Sequence, residues 1–195
     1  MKRIFYIISV ILLPTFCFAE NLLTNPGFDV EETFRGWSVW GEEEEGQSVS
    51  GAEVTKFISR TSLYSAKLWA WKNIGDAGSG IWQDFNVQPG KTYYAAAFLK
   101  SLPREPLKEN IAHAWISLEW YDKDGNIIGH QIDSKNLTEC YKMWAIFKLS
   151  ALAPPNAVKG RILCRLWAAG GKSGKEARAV YIDNVQVSGY PILFR

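Results

Sequence analysis

Tryptophans and charged side chains occupy alternate positions in several short segments of this chain. In SAKLWAW, at residues 65–71, Lys67, Trp69 and Trp71 alternate with alanine and leucine. An indole ring offers a flat apolar face, and charged neighbours offer hydrogen bonds around its edge. Side chains of these two kinds can hold a ring-shaped ligand that has an apolar face and a polar rim. The chemistry that they indicate is reversible binding.

Two further segments, AHAWISLEWYD and GRILCRLWA, show the same alternation. Their aromatic and charged positions are His113, Trp115, Glu119, Arg165 and Trp167. Successive side chains of a β-strand point to opposite faces of a sheet. If the apolar positions face the core, the tryptophans Trp69, Trp71, Trp115 and Trp167 share the opposite side of the sheet. That side would also carry the charged residues, which a core does not normally hold without paired partners.

A pyranose ring has an apolar C–H face and a rim of hydroxyl groups, and it matches such a surface. We therefore predict that Trp69 and Trp71 are the main sugar platforms, with Trp115 and Trp167 as further candidates. Four further side chains are predicted to bond to sugar hydroxyls: Glu119, Arg165, His113 and Gln83. Stacking that hides roughly 80–100 Å² of apolar surface stabilises a complex by about 2 kcal/mol. Two or three platforms then correspond to dissociation constants of about micromolar to millimolar.

Two other readings of the tryptophans stay open at this point. Loops of the protein could cover them, so that they serve packing alone. They could also form one interface with a protein partner, as an interaction or envelope-assembly domain would. A sugar site would expose indoles along a groove, whereas a protein interface would be broader and flatter.

Catalytic motifs are absent from the sequence. His113 and His130 lie in separate segments, and there is no Gly-x-Ser-x-Gly motif and no P-loop. A glycosidase needs two carboxylates about 5–10 Å apart, and Glu119 has no obvious partner on its predicted face. We predict binding without catalysis, and a jelly-roll glycanase is the less favoured alternative.

The segments that carry these residues are predicted β-strands. The apolar period is two almost everywhere, and QPGK, DKDGN and APPNA provide turns between the strands. No long helix is indicated. The DKDGN segment lacks the distal glutamate of a calcium loop and predicts a hairpin turn instead. The fold class that follows is all-β, a β-sandwich jelly roll of two antiparallel sheets.

The first 19 residues are predicted to be a cleaved signal peptide. Lys2 and Arg3 precede an apolar stretch, and Ala19 is a suitable residue before the cut. Residues 20–195 then form a single domain that is secreted or periplasmic. The whole chain has 22 basic and 20 acidic residues, so removal of Lys2 and Arg3 leaves equal numbers of both. We therefore expect no net positive charge that would attract nucleic acid or an anionic membrane.

Two cysteines, Cys140 and Cys164, remain after that cut. In an exported protein they could form one disulfide, and two buried free thiols fit equally well. The acidic run EEEEG at residues 42–46 could hold a cation, although a solvated loop explains it better.

An ordered set of motifs resembles the carbohydrate-binding modules of the cellulose- and xylan-binding jelly-roll kind, in the galactose-binding domain-like superfamily. The opening NLLTNPGFDVEETFRGWSVWG is similar to N-L-x-x-N-(P)-G-F-E followed by a G-W pair. TSLYSAKL, IWQDFNVQPGKTYYAAAFLKS, LEWYDKDGNII, WAIFKLSALAPPN and VYIDNVQV continue the resemblance in order. The resemblance covers nearly all of residues 20–195.

This resemblance implies a jelly roll that often binds glycan on its concave sheet. It places Trp37 and Trp144 in the scaffold, and it places Trp69 where related modules carry an aromatic platform. It also implies a structural calcium ion, because many such modules clip the first strand to the last with one. The matching ligands are Asp29, Asp183 and a carbonyl near Ser62. Asp183 capping a strand end, with Asp29 bonded to a loop, is the alternative.

Overall fold

The structure is a computed structural model that describes residues 20–30, 33–44, 46–71, 76–169 and 177–192. The predicted signal peptide at residues 1–19 lies outside these ranges. The described residues contain strands, turns and bends and no helix. Accordingly, no helix within these ranges is long and apolar enough to span a membrane.

Two five-stranded sheets make up the architecture, and every paired strand is antiparallel. Sheet I contains, in spatial order, β1 (Ser38–Trp40), β6 (Ala77–Asn86), β11 (Lys159–Ala168), β8 (Ala112–Tyr121) and β9 (Ile132–Asp133). Sheet II contains β10 (Ala145–Leu152), β7 (Thr92–Lys100), β12 (Ala177–Ser188), β5 (Ser65–Trp71) and β4 (Ser50–Thr55). A small hairpin pairs β2 (Glu43–Glu44) with β3 (Gln47–Ser48). The predicted all-β sandwich is confirmed.

The core lies between the two sheets and is built from the apolar positions of the alternating strands. Leu68 on β5, Ile116 and Leu118 on β8, and Ile162 on β11 are all completely buried. Burying such a side chain contributes about 1.5–3 kcal/mol. The inward direction predicted for these strands is therefore confirmed, and the intervening residues must point away from the core.

Two tryptophans outside the predicted platforms are buried, and a third is half-buried. Trp37 is buried and donates its indole N–H to the carbonyl of Asn25 at 3.0 Å. Trp120 is buried in the core against the rings of Phe85 and Tyr93. Trp144 is half-buried. The buried position of Trp37 agrees with the scaffold role that the resemblance implies for it.

The interior also holds Gln83, which the sequence analysis assigned to ligand binding. Gln83 pairs with Ile162 and therefore faces the core, and it is 6% exposed. Its amide oxygen accepts the Thr24 N–H at 2.6 Å, and its amide nitrogen donates to the Thr24 carbonyl at 2.9 Å. The prediction of a ligand role for Gln83 is wrong, because the side chain fastens the N-terminal segment to sheet I.

The two cysteines are both free thiols. Cys164 faces the core from β11, where burial raises the pKa of its thiol. Cys140 is half-buried, and its sulfur lies 3.6 Å from the hydroxyl of Ser101. The structure therefore corresponds to the free-thiol alternative.

Replacing Gln83 by methionine should destabilise the fold by about 1–2 kcal/mol, because two hydrogen bonds to Thr24 are lost while the shape is nearly kept. Urea unfolding measures the change. Gln131→Met, at an exposed position where the amide donates to Asp133, is the matched control and should stay within about 0.5 kcal/mol of the parent. Equal stability of the two variants would contradict the stabilising role of the hydrogen bonds between Gln83 and Thr24.

Candidate binding site

The four predicted platforms lie on two different sheets. Trp69 and Trp71 are on β5 of sheet II, whereas Trp115 is on β8 and Trp167 is on β11 of sheet I. In each strand they point away from the core, as predicted. Because the sheets face each other across one core, their outer faces point in opposite directions. The expectation that all four tryptophans share one side is therefore wrong.

The larger aromatic surface is the outer face of sheet I. We call it the tryptophan face and define it by Trp40, Trp82, His113, Trp115, Arg165 and Trp167. At its centre the imidazole of His113 lies between two indoles. The ring centroids are 5.0 Å from Trp115 and 5.1 Å from Trp167, with interplanar angles of 34° and 38°. These three half-buried rings form one continuous aromatic row across β8 and β11.

Trp40 belongs to the same face and was missed by the sequence analysis. It pairs with Gly80 on β6, and its indole covers both Gly78 and Gly80. A methyl group built at Gly78 would come within 2.7 Å of the ring, and one at Gly80 would overlap it. The two glycines leave the space that the indole fills. In the sequence AGSGIW these glycines occupy the alternate positions that point outward, and this pattern could have predicted that a large side chain covers them.

Arg165 and Glu119 form an ion pair beside the aromatic row. The guanidinium donates to Glu119 Oε1 at 2.7 Å, and the Tyr121 hydroxyl donates to Glu119 Oε2 at 2.7 Å. Burial, together with the bond to Glu119, raises the pKa of Tyr121 to about 12. Arg165 Nε is buried and has no hydrogen-bond partner among the described residues. Glu119 thus holds Arg165 in place, and Arg165 carries an unused donor.

A second carboxylate lies in the same cross-strand row as Glu119. Arg161 on β11 pairs with Glu119 on one side and with Asp84 on β6 on the other. The guanidinium of Arg161 bonds to Asp84 at 2.6 and 3.1 Å, and Lys159 approaches Asp84 at 3.1 Å. Burial acts to raise the pKa of Asp84, but these two cations lower it overall. Neither carboxylate is a free group.

His113 contributes uncharged polarity to the tryptophan face. Burial lowers the pKa of its imidazole, so the ring is neutral at pH 7. A neutral imidazole has one donor and one acceptor nitrogen. Neither nitrogen has a hydrogen-bond partner within the part of the chain that the structure describes. The ring can therefore both stack and form hydrogen bonds to a ligand.

The outer face of sheet II presents a smaller aromatic pair. Trp69 is half-buried over Gly51, and Trp71 is 42% exposed with its ring centroid 6.5 Å from that of Trp69. Lys67, expected beside the tryptophans, is bound to Glu105 at 2.8 Å and to Glu53 at 3.3 Å. Trp71 borders two hollows, which are described below.

The residues that the resemblance assigns to calcium lie close together. The carboxylates of Asp29 and Asp183 both approach Gly27, and Asp183 is completely buried. Asp183 accepts the N–H groups of Arg60, Thr61 and Asn184. Burial raises the pKa of Asp183, against the effect of these donors, and the charge of Asp29 raises it further.

Ser62 belongs to the same loop that supplies the Arg60 and Thr61 donors. Its carbonyl accepts the hydroxyl of Ser59. The candidate metal ligands at this place are therefore all oxygen atoms, the type that calcium prefers. Two of them belong to carboxylates, which repel each other when no cation is between them. Across the described ranges, no group of three or more histidine, cysteine, aspartate or glutamate side chains is arranged to hold a metal ion. These ligands fit calcium only if backbone carbonyl oxygens supply the rest of the coordination shell.

Comparison with known proteins relates the chain to others through its fold. No protein-family model and no curated protein matches the sequence. The C-terminal family 22 carbohydrate-binding module of Clostridium thermocellum Xyn10B matches with a TM-score of 0.57 and 13% identity, over 88% of this chain and 98% of the module.

Two other solved modules match along nearly their whole length. A family 61 module solved with β-1,4-galactotriose has a TM-score of 0.53 and 16% identity, over 87% of this chain and 98% of the module. A family 16 module has a TM-score of 0.53 and 19% identity, over 86% and 99% of the two chains. The chain therefore has the β-sandwich fold of carbohydrate-binding modules.

An enzyme also contains this fold as one part. The enzymatically active domain of tailspike protein 4 of bacteriophage CBA120 matches with a TM-score of 0.63 and 16% identity. The match covers 86% of this chain, and the chain spans about a fifth (21%) of that protein. At such identities the likeness establishes the fold alone, so the function must be argued from the site.

Acidification should destabilise the protein through His113. Because its folded-state pKa lies below 6.5, the unfolded state takes up the proton first, and stability falls as the pH drops below about 6.5. We expect His113→Gln to lose less stability than the parent between pH 7.5 and 5.5 in urea unfolding. His130→Gln, at an exposed position, should keep the parent's acid sensitivity. If the stability of the parent and of His113→Gln depended on pH in the same way, His113 would not be the cause of the acid sensitivity.

Proposed function

We propose that this protein binds a polysaccharide on the tryptophan face and does not cleave it. The observation that carries the proposal is the row Trp115–His113–Trp167, three half-buried rings beside the ion pair of Arg165 and Glu119. Two indoles supply flat platforms, and the imidazole and guanidinium supply hydrogen bonds at their edges. This combination suits a pyranose ring, which has an apolar face and a polar rim.

The rings and charges of this face are already held in position before a ligand arrives. Trp115 and Trp167 contact His113, Trp40 fills the space over two glycines, and Glu119 fixes Arg165. Preorganised side chains lose little conformational freedom on binding, and affinity improves accordingly. Glu119 therefore acts by positioning Arg165, which differs from the direct sugar contact expected from the sequence.

The partners of the two carboxylates, Asp84 and Glu119, favour binding over hydrolysis. A glycosidase needs a carboxylic acid whose pKa is raised so that it can protonate the leaving group. The pKa of Asp84 is lowered by Arg161 and Lys159, and Glu119 is bonded to Arg165 and Tyr121. Both groups serve as partners of cations. This arrangement supports a non-catalytic role.

The matching solved structures support a carbohydrate ligand. The family 61 module was solved with β-1,4-galactotriose, and a family 22 module from Paenibacillus barcinonensis is described as a xylan-binding domain. Together with the signal-peptide pattern of residues 1–19, this supports a protein that meets its polysaccharide after export, in the periplasm or outside the cell.

The proposal also includes a structural calcium ion held by Asp29, Asp183 and the carbonyl of Ser62. A cation there would favour the charged form of Asp183, whose pKa is otherwise raised by burial. It would join the loop at residues 59–62 and the N-terminal segment to the middle of β12, where the strand register shifts after Asp183.

Glycan binding is tested by titrating residues 20–195 with xylan, β-glucan, cellulose and galactan fragments while following tryptophan fluorescence. Trp167→Ala removes one platform and should weaken binding of the preferred glycan by about 2 kcal/mol, or about 30-fold. Trp167→Phe, with a smaller ring, should lose less. Urea midpoints establish that each variant is folded.

The matched control is Tyr190→Ala, which removes an aromatic ring that is 53% exposed and lies just after β12, away from the tryptophan face. Its affinity should equal that of the parent. If no glycan binds to folded protein, the carbohydrate proposal fails and a protein partner becomes the favoured reading. Equal loss in Tyr190→Ala and Trp167→Ala would show that the effect is not local.

Calcium binding is tested by thermal unfolding in excess calcium and in chelator. At a calcium concentration about 100 times the dissociation constant, a native-state site adds about 2.7 kcal/mol of stability and raises the melting temperature. Asp29→Asn, at an exposed position, should abolish this increment, and Asp124→Asn in the DKDGN turn should keep it. The same melting temperature with calcium and with chelator would rule out the ion.

A further inference from the structure

We propose that the outer face of sheet II carries a second ligand site, which binds a sugar ring bearing an anionic substituent. The site consists of the indole of Trp71 and the basic side chains of Arg104 and Lys108. It lies on the opposite side of the sandwich from the tryptophan face, and it stands or falls independently of the function proposed for that face.

The site is a hollow between the end of β5 and the loop that precedes β8. Its volume is about 560 Å³, within the usual range for ligand pockets. The lining residues are Trp71, Pro103, Arg104, Glu105, Pro106, Lys108 and Ala177. The hollow thus combines one aromatic wall, two prolines and a small group of charges.

Trp71 provides a fixed platform in this hollow. Its backbone N–H donates to the carbonyl of Val49 at 2.7 Å, and its ring contacts Trp69 edge to face. The neighbouring position on β12 is Ala177, whose small side chain leaves the indole uncovered on that side. With 42% of its surface exposed, Trp71 is the most exposed tryptophan among the described residues.

The opposite wall is a loop that the rest of the fold holds in place. Leu107 is buried in the core, and its N–H donates to the Ser101 hydroxyl at 3.1 Å. The Pro106 carbonyl accepts from Arg178 at 3.0 Å, and the Glu105 carbonyl accepts from the Ala179 N–H at 3.2 Å. A ligand therefore meets a preformed wall, which limits the entropy lost on binding.

The charges in the hollow leave it net positive. The carboxylate of Glu105 is compensated by Lys67 at 2.8 Å and accepts the Tyr181 hydroxyl at 2.7 Å. Arg104 donates to the same hydroxyl at 3.0 Å, its Nε lies 3.5 Å from Glu105 Oε2, and its guanidinium stacks on the ring of Phe57 at 3.7 Å. Lys108 is exposed and has no ion-pair partner among the described residues. An anionic group beside Trp71 would meet both cations.

The other side of Trp71 has the opposite charge. There a smaller hollow of about 190 Å³ is lined by Glu42, Glu43, Glu44 and Asp76 together with the indole. These carboxylates repel an anion, so the anionic substituent is directed toward Arg104 and Lys108. The charge pattern therefore selects a sugar carrying a carboxylate or a sulfate and fixes which way the substituent points.

The test compares oligosaccharides of equal length by calorimetric titration at low salt. One contains a uronic acid, one carries a sulfate group, and one is neutral. We expect an anionic oligosaccharide to bind at least tenfold more tightly than the neutral one, with the difference shrinking as salt rises from about 20 to 300 mM. Whether the carboxylate or the sulfate is preferred identifies the substituent.

Variants then place the anionic sugar in the hollow. Trp71→Ala should weaken its binding at least tenfold, and Lys108→Ala should weaken it about three- to tenfold and reduce the salt dependence. Lys108→Arg keeps the charge and should restore most of the affinity. Lys123→Ala, at an exposed lysine beside Asp124, is the matched control and should change nothing.

Two outcomes would overturn the second site. One is the absence of any preference for anionic over neutral oligosaccharides. The other is anionic binding that survives Trp71→Ala and Lys108→Ala but is lost in Trp167→Ala, which would place the acidic sugar on the tryptophan face. In that case the second site is refuted while the proposed function is retained. The proposed function has its own support if neutral glycan binding is lost in Trp167→Ala and kept in Trp71→Ala and Lys108→Ala.

Discussion

The packing of two sheets against one apolar core determines where every functional side chain of this protein can point. Leu68, Ile116 and Ile162 must be buried for the sandwich to form, and the pleat then turns their neighbours outward. Trp69, Trp115 and Trp167 are therefore surface residues as a direct consequence of core formation. Because the sheets face each other, the same constraint divides the tryptophans between two opposite surfaces. The sandwich therefore has two outer faces with separate chemistry.

The two faces support their aromatic rings by different means. On sheet I the rings support one another, with His113 between two indoles and Trp40 over Gly78 and Gly80, while arginine–carboxylate pairs hold the polar groups. On sheet II a single exposed indole stands between an acidic and a basic hollow. The first arrangement suits an extended neutral chain lying across several rings. The second suits one charged ring, and the matched solved modules share the fold without deciding between them.

Much of the fold could be predicted from the sequence, because period-two alternation reports which side of a strand is buried. That signal correctly predicted the inward residues of β5, β8 and β11 and the outward direction of Trp69, Trp71, Trp115 and Trp167. Alternation does not reveal which sheet a strand joins, so the division of the tryptophans could not be derived. Gln83 was misassigned although Ile81 and Phe85, at the same parity, already indicated the core. The pairing of Glu119 with Arg165 depends on the register of β8 and β11, which no local pattern contains.

In the function that we propose, a polysaccharide lies on the aromatic row of sheet I. The most direct measurement records the indole N–H signals of ¹⁵N-labelled protein by NMR during titration with the glycan that binds most tightly, after assignment by single tryptophan substitutions. We expect the signals of Trp115 and Trp167 to shift most, followed by that of Trp40, while those of buried Trp37 and Trp120 stay in place. Shifts confined to Trp69 and Trp71 with a neutral glycan, or no shift of any indole, would contradict it.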